Sequence, residues 1–243
     1  KHNLVIFPGA SPFAEEHPKM IMLGCVLTQA GYTIYMPRIP LLKDLIINDE
    51  IIQSFHLFYS WLLNEKNLDH NNISVVGMSF SGALILKASF QLSMKNYPPK
   101  SIFAYSTYYD FDSTIEFLTN GKITINNSEI QLKPDSWGLI VIFHNSLQFV
   151  DIGYDTTEIQ RVISLRIHDK EKEAKSECLK LPDNEQEMVN SILTEQPNDE
   201  VIRIVKVFRE KMKKEYQDII SSFLGVFPIK INSSLVSAQS RER

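Results

Sequence analysis

Over the first 112 residues, short apolar runs alternate with amphipathic stretches. Leu4-Val5-Ile6-Phe7 is uniformly apolar and stops at Pro8-Gly9, the pattern of a buried strand feeding a turn. Pro18 to Ala30 reads as a helix: Pro18 suits a first-turn position, Met20, Leu23 and Leu27 share one face, and Gly31 is a natural terminator. Tyr32 to Met36 alternates as a strand and ends at Pro37. Asp49 or Glu50 opens the next helix, where Ile51, Ile52, Phe55, Tyr59, Leu62 and Leu63 recur at helical spacing. The pattern then predicts a strand at Ile73 to Val76, a break at Gly77, a helix from Ser81 to Leu92 and a short strand from Ser101 to Ser106. Strands separated by helices pair in parallel, because right-handed crossovers lay the helices on the sheet faces. Residues 1–112 are therefore expected to form an α/β core, a doubly wound and mainly parallel sheet.

The alternation stops after Asp112. Lys122 to Leu132 has the look of a small hairpin around an Asn-rich turn, and Gly138 to Leu147 is apolar and helical in pattern. Asp169 to Glu177 is a mixed-charge run suited to a solvated helix face or loop, and Pro182-Asp183 opens a helix reaching about Leu193. Asp199 to Leu224 is a long amphipathic stretch, with Val201, Val205, Phe208, Met212, Ile219 and Phe223 on one side. It reads as a helix packing its stripe on the core; a basic membrane-surface helix is the alternative. Residues 113–224 thus read as one mainly helical insertion, and 225–243 as the start of a strand returning to the core.

Charge narrows the function classes. Twenty-five Lys and Arg against 29 Asp and Glu give a net charge of −4, unsuited to a nucleic-acid binder that relies on a basic surface. No apolar run reaches the ~18 residues a transmembrane helix needs. Two cysteines, Cys25 and Cys178, cannot build a disulfide scaffold, so reduced thiols in a cytoplasmic protein are the simplest expectation. Cys25, inside the apolar run Met20 to Leu27, reads as a core thiol; Cys178 has no Cys or His at ligand spacing, so no zinc site is expected. Neither a P-loop nor Gly-x-Gly-x-x-Gly is present, which argues against nucleotide and dinucleotide cofactors.

The segment richest in chemistry is Val75-Val76-Gly77-Met78-Ser79-Phe80-Ser81-Gly82. A strand runs into Gly-x-Ser-x-Ser-Gly and a helix begins at once, so Ser79 falls on a sharp corner that tolerates only small neighbours. Such a corner lifts the Ser79 hydroxyl above the carboxyl edge of the sheet and aims the Phe80 N–H at a developing oxyanion. Phe7-Pro8-Gly9-Ala10-Ser11 leaves the first strand with a glycine that lets a loop N–H face the same pocket, and Ala10 is the candidate second donor.

With these motifs, residues 3–112 resemble the α/β-hydrolase superfamily. Pro8-Gly9 stands in place of the usual His-Gly loop, Gly31-Tyr32 precedes the next strand, and the elbow departs from Gly-x-Ser-x-Gly only by Ser81, with Gly82 following. The resemblance implies a helical cap inserted after the core strands, matching residues 113–224. It also implies a Ser–His–acid triad, hydrolysis of an acyl ester or related bond on a small-molecule substrate, and no metal or organic cofactor. An acyltransferase using the same serine, or a non-catalytic hydrolase-like binding protein, are the alternatives.

The family order is serine, acid, histidine. Only His144 and His168 follow Ser79, and neither follows an obvious core strand. Asp110 and Asp112 end the strand after the elbow, where some relatives carry the acid, though Asp112-Ser113-Thr114 also suits a helix N-cap. His17, beside the oxyanion loop, would line the pocket mouth; His2, His56 and His70 lack convergent partners. The reading is therefore of a chain whose acid and base lie beyond Arg243, and whose start at Lys1 leaves room for a leader or earlier strands. Pro134-Asp135-Ser136-Trp137-Gly138 reads as turn chemistry plus an aromatic anchor, with substrate contact as the other option for Trp137.

Overall fold

The computed structural model describes residues 2–108, 111–125, 128–149, 151–153, 155–194 and 196–224. Four strands, β1 (Asn3–Phe7), β2 (Thr33–Tyr35), β3 (Ile73–Met78) and β4 (Ser101–Tyr105), make one sheet in the order β2-β1-β3-β4. Every pairing is parallel. The register sets Phe7 beside Gly77 and Met78 beside Tyr105, so the carboxyl ends of β1, β3 and β4 finish abreast.

Between the strands lie α1 (Pro18–Gln29), α2 (Pro40–Lys43), α3 (Asp49–Asn64), α4 (Phe80–Ala88) and α5 (Leu92–Asn96). The helix boundaries follow from local chemistry. The His17 imidazole caps α1 by accepting from the Lys19 N–H at 3.2 Å, and Gly31 ends that stretch at φ +96°. Asn48 caps α3 by accepting from the Glu50 N–H at 3.1 Å, and Asp49 and Glu50 complement the positive end of its dipole. One face of α3 is buried through Ile51, Ile52, Phe55, Tyr59 and Leu62; Phe55 stacks on Phe7 of β1 with ring centroids 4.0 Å apart. Right-handed crossovers assign α1 to one face of the sheet and α3 with α4 to the other, where those two helices touch.

Several boundaries differ from the pattern-based expectation. The strand expected to break at Gly77 runs through it to Met78, because Gly77 pairs with Phe7 of β1 and Ala104 of β4. The helix after Ser79 starts at Phe80 and stops at Ala88, since the Ser89 hydroxyl turns back to the Leu86 carbonyl at 2.7 Å and Gln91 is extended. Cys25 is exposed rather than in the core. Met20, Leu23 and Leu27 do form the inner stripe of α1, and Cys25, two residues past Leu23, falls on the opposite side. This helix buries no residue fully, and Ile21, Met22 and Val26 add an exposed apolar strip around the thiol.

After β4 come α6 (Phe111–Asn120), an antiparallel pair β5 (Lys122–Ile125) and β6 (Ser128–Gln131), then α7 (Ser136–Phe149), α8 (Thr157–Ile167), α9 (Glu171–Cys178), α10 (Asp183–Leu193) and α11 (Asp199–Leu224). The apolar stripes of α7 to α10, and Val201, Ile204, Val205 and Phe208 of α11, are buried. Residues 1–209 form one compact unit and 210–243 a second, whose described part is the helical backbone of α11 to Leu224. The start of a returning strand expected over 225–243 lies outside the described residues.

The two thiols should report this packing. Cys178 is 8% exposed, and burial pushes its thiol above the ordinary range. Ellman's reagent added to the native protein is expected to titrate Cys25 promptly and Cys178 only after denaturant. Two prompt thiols would mean that α9 is not packed on its neighbours.

Candidate active site

An open α/β sheet binds ligands at the carboxyl ends of its strands where the strand order reverses. Here β2 lies on one side of β1 and β3 on the other, so the reversal falls between β1 and β3. Both flanking loops carry residues singled out by sequence: Ala10 after β1, and Ser79 with Phe80 after β3.

The Ser79 N–H still donates to the Tyr105 carbonyl at 2.9 Å, continuing the ladder with β4 by one residue. The backbone then turns at φ 52°, ψ −128°, a conformation costly for a side-chain-bearing residue, and α4 begins at Phe80. The Gly82 N–H closes the turn on the Ser79 carbonyl at 2.9 Å. Glycine is required at 77, because a Cβ there would lie 2.5 Å from the Ser81 carbonyl oxygen and 2.8 Å from the Gly82 Cα. At 82 a Cβ would come within 2.6 Å of the Thr107 Cβ. These absences of side chain let β3 and α4 meet at a corner with Ser79 on its outside. Ser79 is exposed, and its hydroxyl does not cap α4.

The loop after β1 closes on this corner. Gly9 sits so near that a Cβ would lie 2.9 Å from the Ser79 Cβ and 3.6 Å from its Oγ. The fully buried Ser81 donates its hydroxyl to the Pro8 carbonyl, tying the loop to the first turn of α4. Ser11 N–H donates to the Leu42 carbonyl at 3.1 Å, and the Trp137 indole N–H donates to the Ala10 carbonyl at 3.3 Å. Farther along, Glu15 and Glu16 pair with Arg38 and Lys43, which hold the Glu16 carboxyl below the usual range, Lys43 most strongly. Among the described residues, no hydrogen bond occupies the Ala10 N–H or the Phe80 N–H, the latter at the first position of α4.

The remaining candidates sit elsewhere. Of the six histidines, His2 bonds Asn72 and Ser74, His17 caps α1, His56 meets Ser93, and His70 meets the Pro98 carbonyl. His144 is 5% exposed on α7 and reaches the Asp44 carbonyl at 3.1 Å; burial pushes its pKa down from the ordinary imidazole range. His168 meets the Ser164 carbonyl at 2.8 Å. None of them bonds Ser79. Asp112 lies in the first turn of α6 and pairs with Arg209 at 2.5 Å, while Asp110 is outside the described residues. Among the described residues, no three His, Cys, Asp or Glu side chains cluster to hold a metal, and no helix is long and apolar enough to cross a membrane.

Sequence reasoning missed the three anchors of the Pro8–Ser11 loop. Ser81 had a local signal, as the small residue of the elbow motif. Trp137 had none, since its partner is 127 residues away. No protein-family model, no curated protein and no solved structure matches the chain.

Proposed function

We propose that this chain is a serine hydrolase of the α/β-hydrolase type, cleaving an acyl ester or a related carboxylic bond through an acyl-enzyme on Ser79. The observation that carries the reading is the strained, exposed Ser79 at the strand-to-helix corner, with the N–H groups of Ala10 and Phe80 making no hydrogen bond among the described residues. Ser79 Oγ attacks the acyl carbonyl as its proton passes to a general base, a role that none of the six histidines fills through the hydrogen bonds it makes here, and the tetrahedral oxyanion is held by Phe80 N–H and Ala10 N–H. The α4 N-terminus adds its positive dipole end where that charge develops. Collapse breaks the bond to the leaving group, which departs as the alcohol with the proton the base returns; water, deprotonated by the same base, then attacks the acyl-enzyme and releases the acid as the proton goes back to Ser79 Oγ. The all-parallel order β2-β1-β3-β4, with the serine after β3, supports a hydrolase-like core, and on this reading helices α7 to α10 are the elements that would form its cap. An exposed free thiol at Cys25 fits a reducing, cytoplasmic setting.

One observation favours a second reading, a hydrolase-like binding protein: all six histidines make their hydrogen bonds away from Ser79. A serine without a base stays protonated and reacts poorly. A fluorophosphonate probe separates the two. Labelling of the wild type and none of Ser79→Ala is the result expected of a hydrolase. Equal, negligible labelling of both would leave the binding reading in possession of the site.

A further inference from the structure

We infer that Trp137 is a positioning residue, through which the cap helix α7 holds the Ala10 N–H in place; the inference rests on the hydrolase reading above. That N–H belongs to the peptide joining Gly9 to Ala10, and both flanking peptides are fixed. On one side the Pro8 carbonyl accepts from Ser81. On the other, the Ala10–Ser11 peptide is held at both its polar atoms: the carbonyl accepts from the Trp137 indole at 3.3 Å, and the Ser11 N–H donates to Leu42 at 3.1 Å. With its neighbours pinned, the middle peptide can turn only about the line between the Gly9 and Ala10 Cα atoms. Ala10 is 6% exposed, so a carbonyl deprived of the indole meets little water and the loop must shift to find a partner.

Ser81 and Leu42 come from the α/β part of the chain; Trp137 alone comes from the helical part. Its helix is well placed to act as a fixed arm. The Trp137 N–H is held by the Asp135 carboxylate at 2.8 Å. Gly138 lies so close to α6 that a Cβ would stand 2.7 Å from Leu118 Cδ2. At the far end of α7, Asn145 bonds the Ile47 N–H at 2.8 Å and the Leu45 carbonyl at 2.7 Å. The helical part thus contributes to oxyanion stabilisation without touching the reacting atoms. Its indole fixes the peptide next to the one that donates.

The test is Trp137→Phe, which keeps a ring and removes the donor, followed by fluorophosphonate inactivation kinetics. The maximal inactivation rate should fall about tenfold, the effect of one well-placed hydrogen bond, with the half-saturating probe concentration changed less than about twofold. A merely structural role would not divide the two constants in this way. The chain has two tryptophans, so indole-¹⁵N spectra of the wild type show two side-chain signals, and a Trp61→Phe variant, which loses the other one, identifies the signal of Trp137 independently of Trp137→Phe. Phosphonylation of Ser79 should shift that signal and leave the Trp61 signal in place, a readout that survives even if the variant folds poorly. Labelled wild type with an unmoved Trp137 signal, and a variant inactivated at the wild-type rate, would overturn the inference while the hydrolase reading stands. A wild type that does not label removes the hydrolase reading and this inference with it.

Discussion

Alanine at position 77 is expected to destabilise the protein by about 3 kcal/mol, the upper part of the range for forcing an extra carbon into a packed site. The atoms a new Cβ would meet explain the size. Two of them, the Ser81 carbonyl oxygen at 2.5 Å and the Gly82 Cα at 2.8 Å, are backbone in the first turn of α4; the third is Ile85 Cγ2 at 2.8 Å. Backbone cannot swing aside as a side-chain end does, so β3 and α4 would have to separate. Gly31 supplies the contrast. Its φ is +96°, yet nothing lies within 4 Å of a Cβ built there, so alanine costs only the strain of the left-handed backbone, about 1 kcal/mol. Urea unfolding of both variants should show Gly77→Ala well below Gly31→Ala in midpoint. On the proposed hydrolase reading, phosphonylation of Ser79 should also be lost in the folded fraction of Gly77→Ala, because the corner that presents the hydroxyl has opened. A Gly77→Ala protein as stable as the wild type would refute the close approach of strand and helix.

The elbow was legible in the sequence for the same reason that it is sensitive. A corner this tight leaves a local trace, with Gly77, Ser81 and Gly82 around Ser79, and the alternation of apolar runs with helical stripes was enough to expect parallel strands. Helix α8 carries a local trace as well, since Ile159, Val162, Ile163 and Ile167 recur at helical spacing and are all buried. Elsewhere the outcome depended on partners far along the chain. Asp112 suited an N-cap or a catalytic acid by local pattern, and its pairing with Arg209 is decided 97 residues later. Apolar composition alone could not show that Cys25 faces outward, because α1 is apolar on its outer side as well. The link from Trp137 to Ala10 depends on where α7 meets the loop after β1 and the 44–47 loop, a tertiary arrangement that local spacing does not encode.

Asn145→Ala is expected to cost about 3–4 kcal/mol, from two buried backbone groups losing their partner at once. Asn145 is fully buried; its Oδ1 accepts from the Ile47 N–H, and its Nδ2 donates to the carbonyls of Leu45 and Val141. Leu45 is itself fully buried at φ 55°, a conformation that a leucine holds only when its surroundings impose it. Truncation to alanine leaves the Ile47 N–H and the Leu45 carbonyl without that partner and relaxes the constraint on the strained residue. Asn145 thus fastens the far end of α7 to the 45–47 loop, as Trp137 fastens its first turn to the loop beside Ser79. The two variants should separate these roles. Asn145→Ala should lower the urea midpoint far more than Trp137→Phe, yet slow fluorophosphonate labelling of the folded protein less, because only Trp137 bonds Ala10 directly. An Asn145→Ala protein less than about 1 kcal/mol weaker than the wild type would show that the 45–47 loop finds its hydrogen bonds elsewhere, and that α7 is not anchored there.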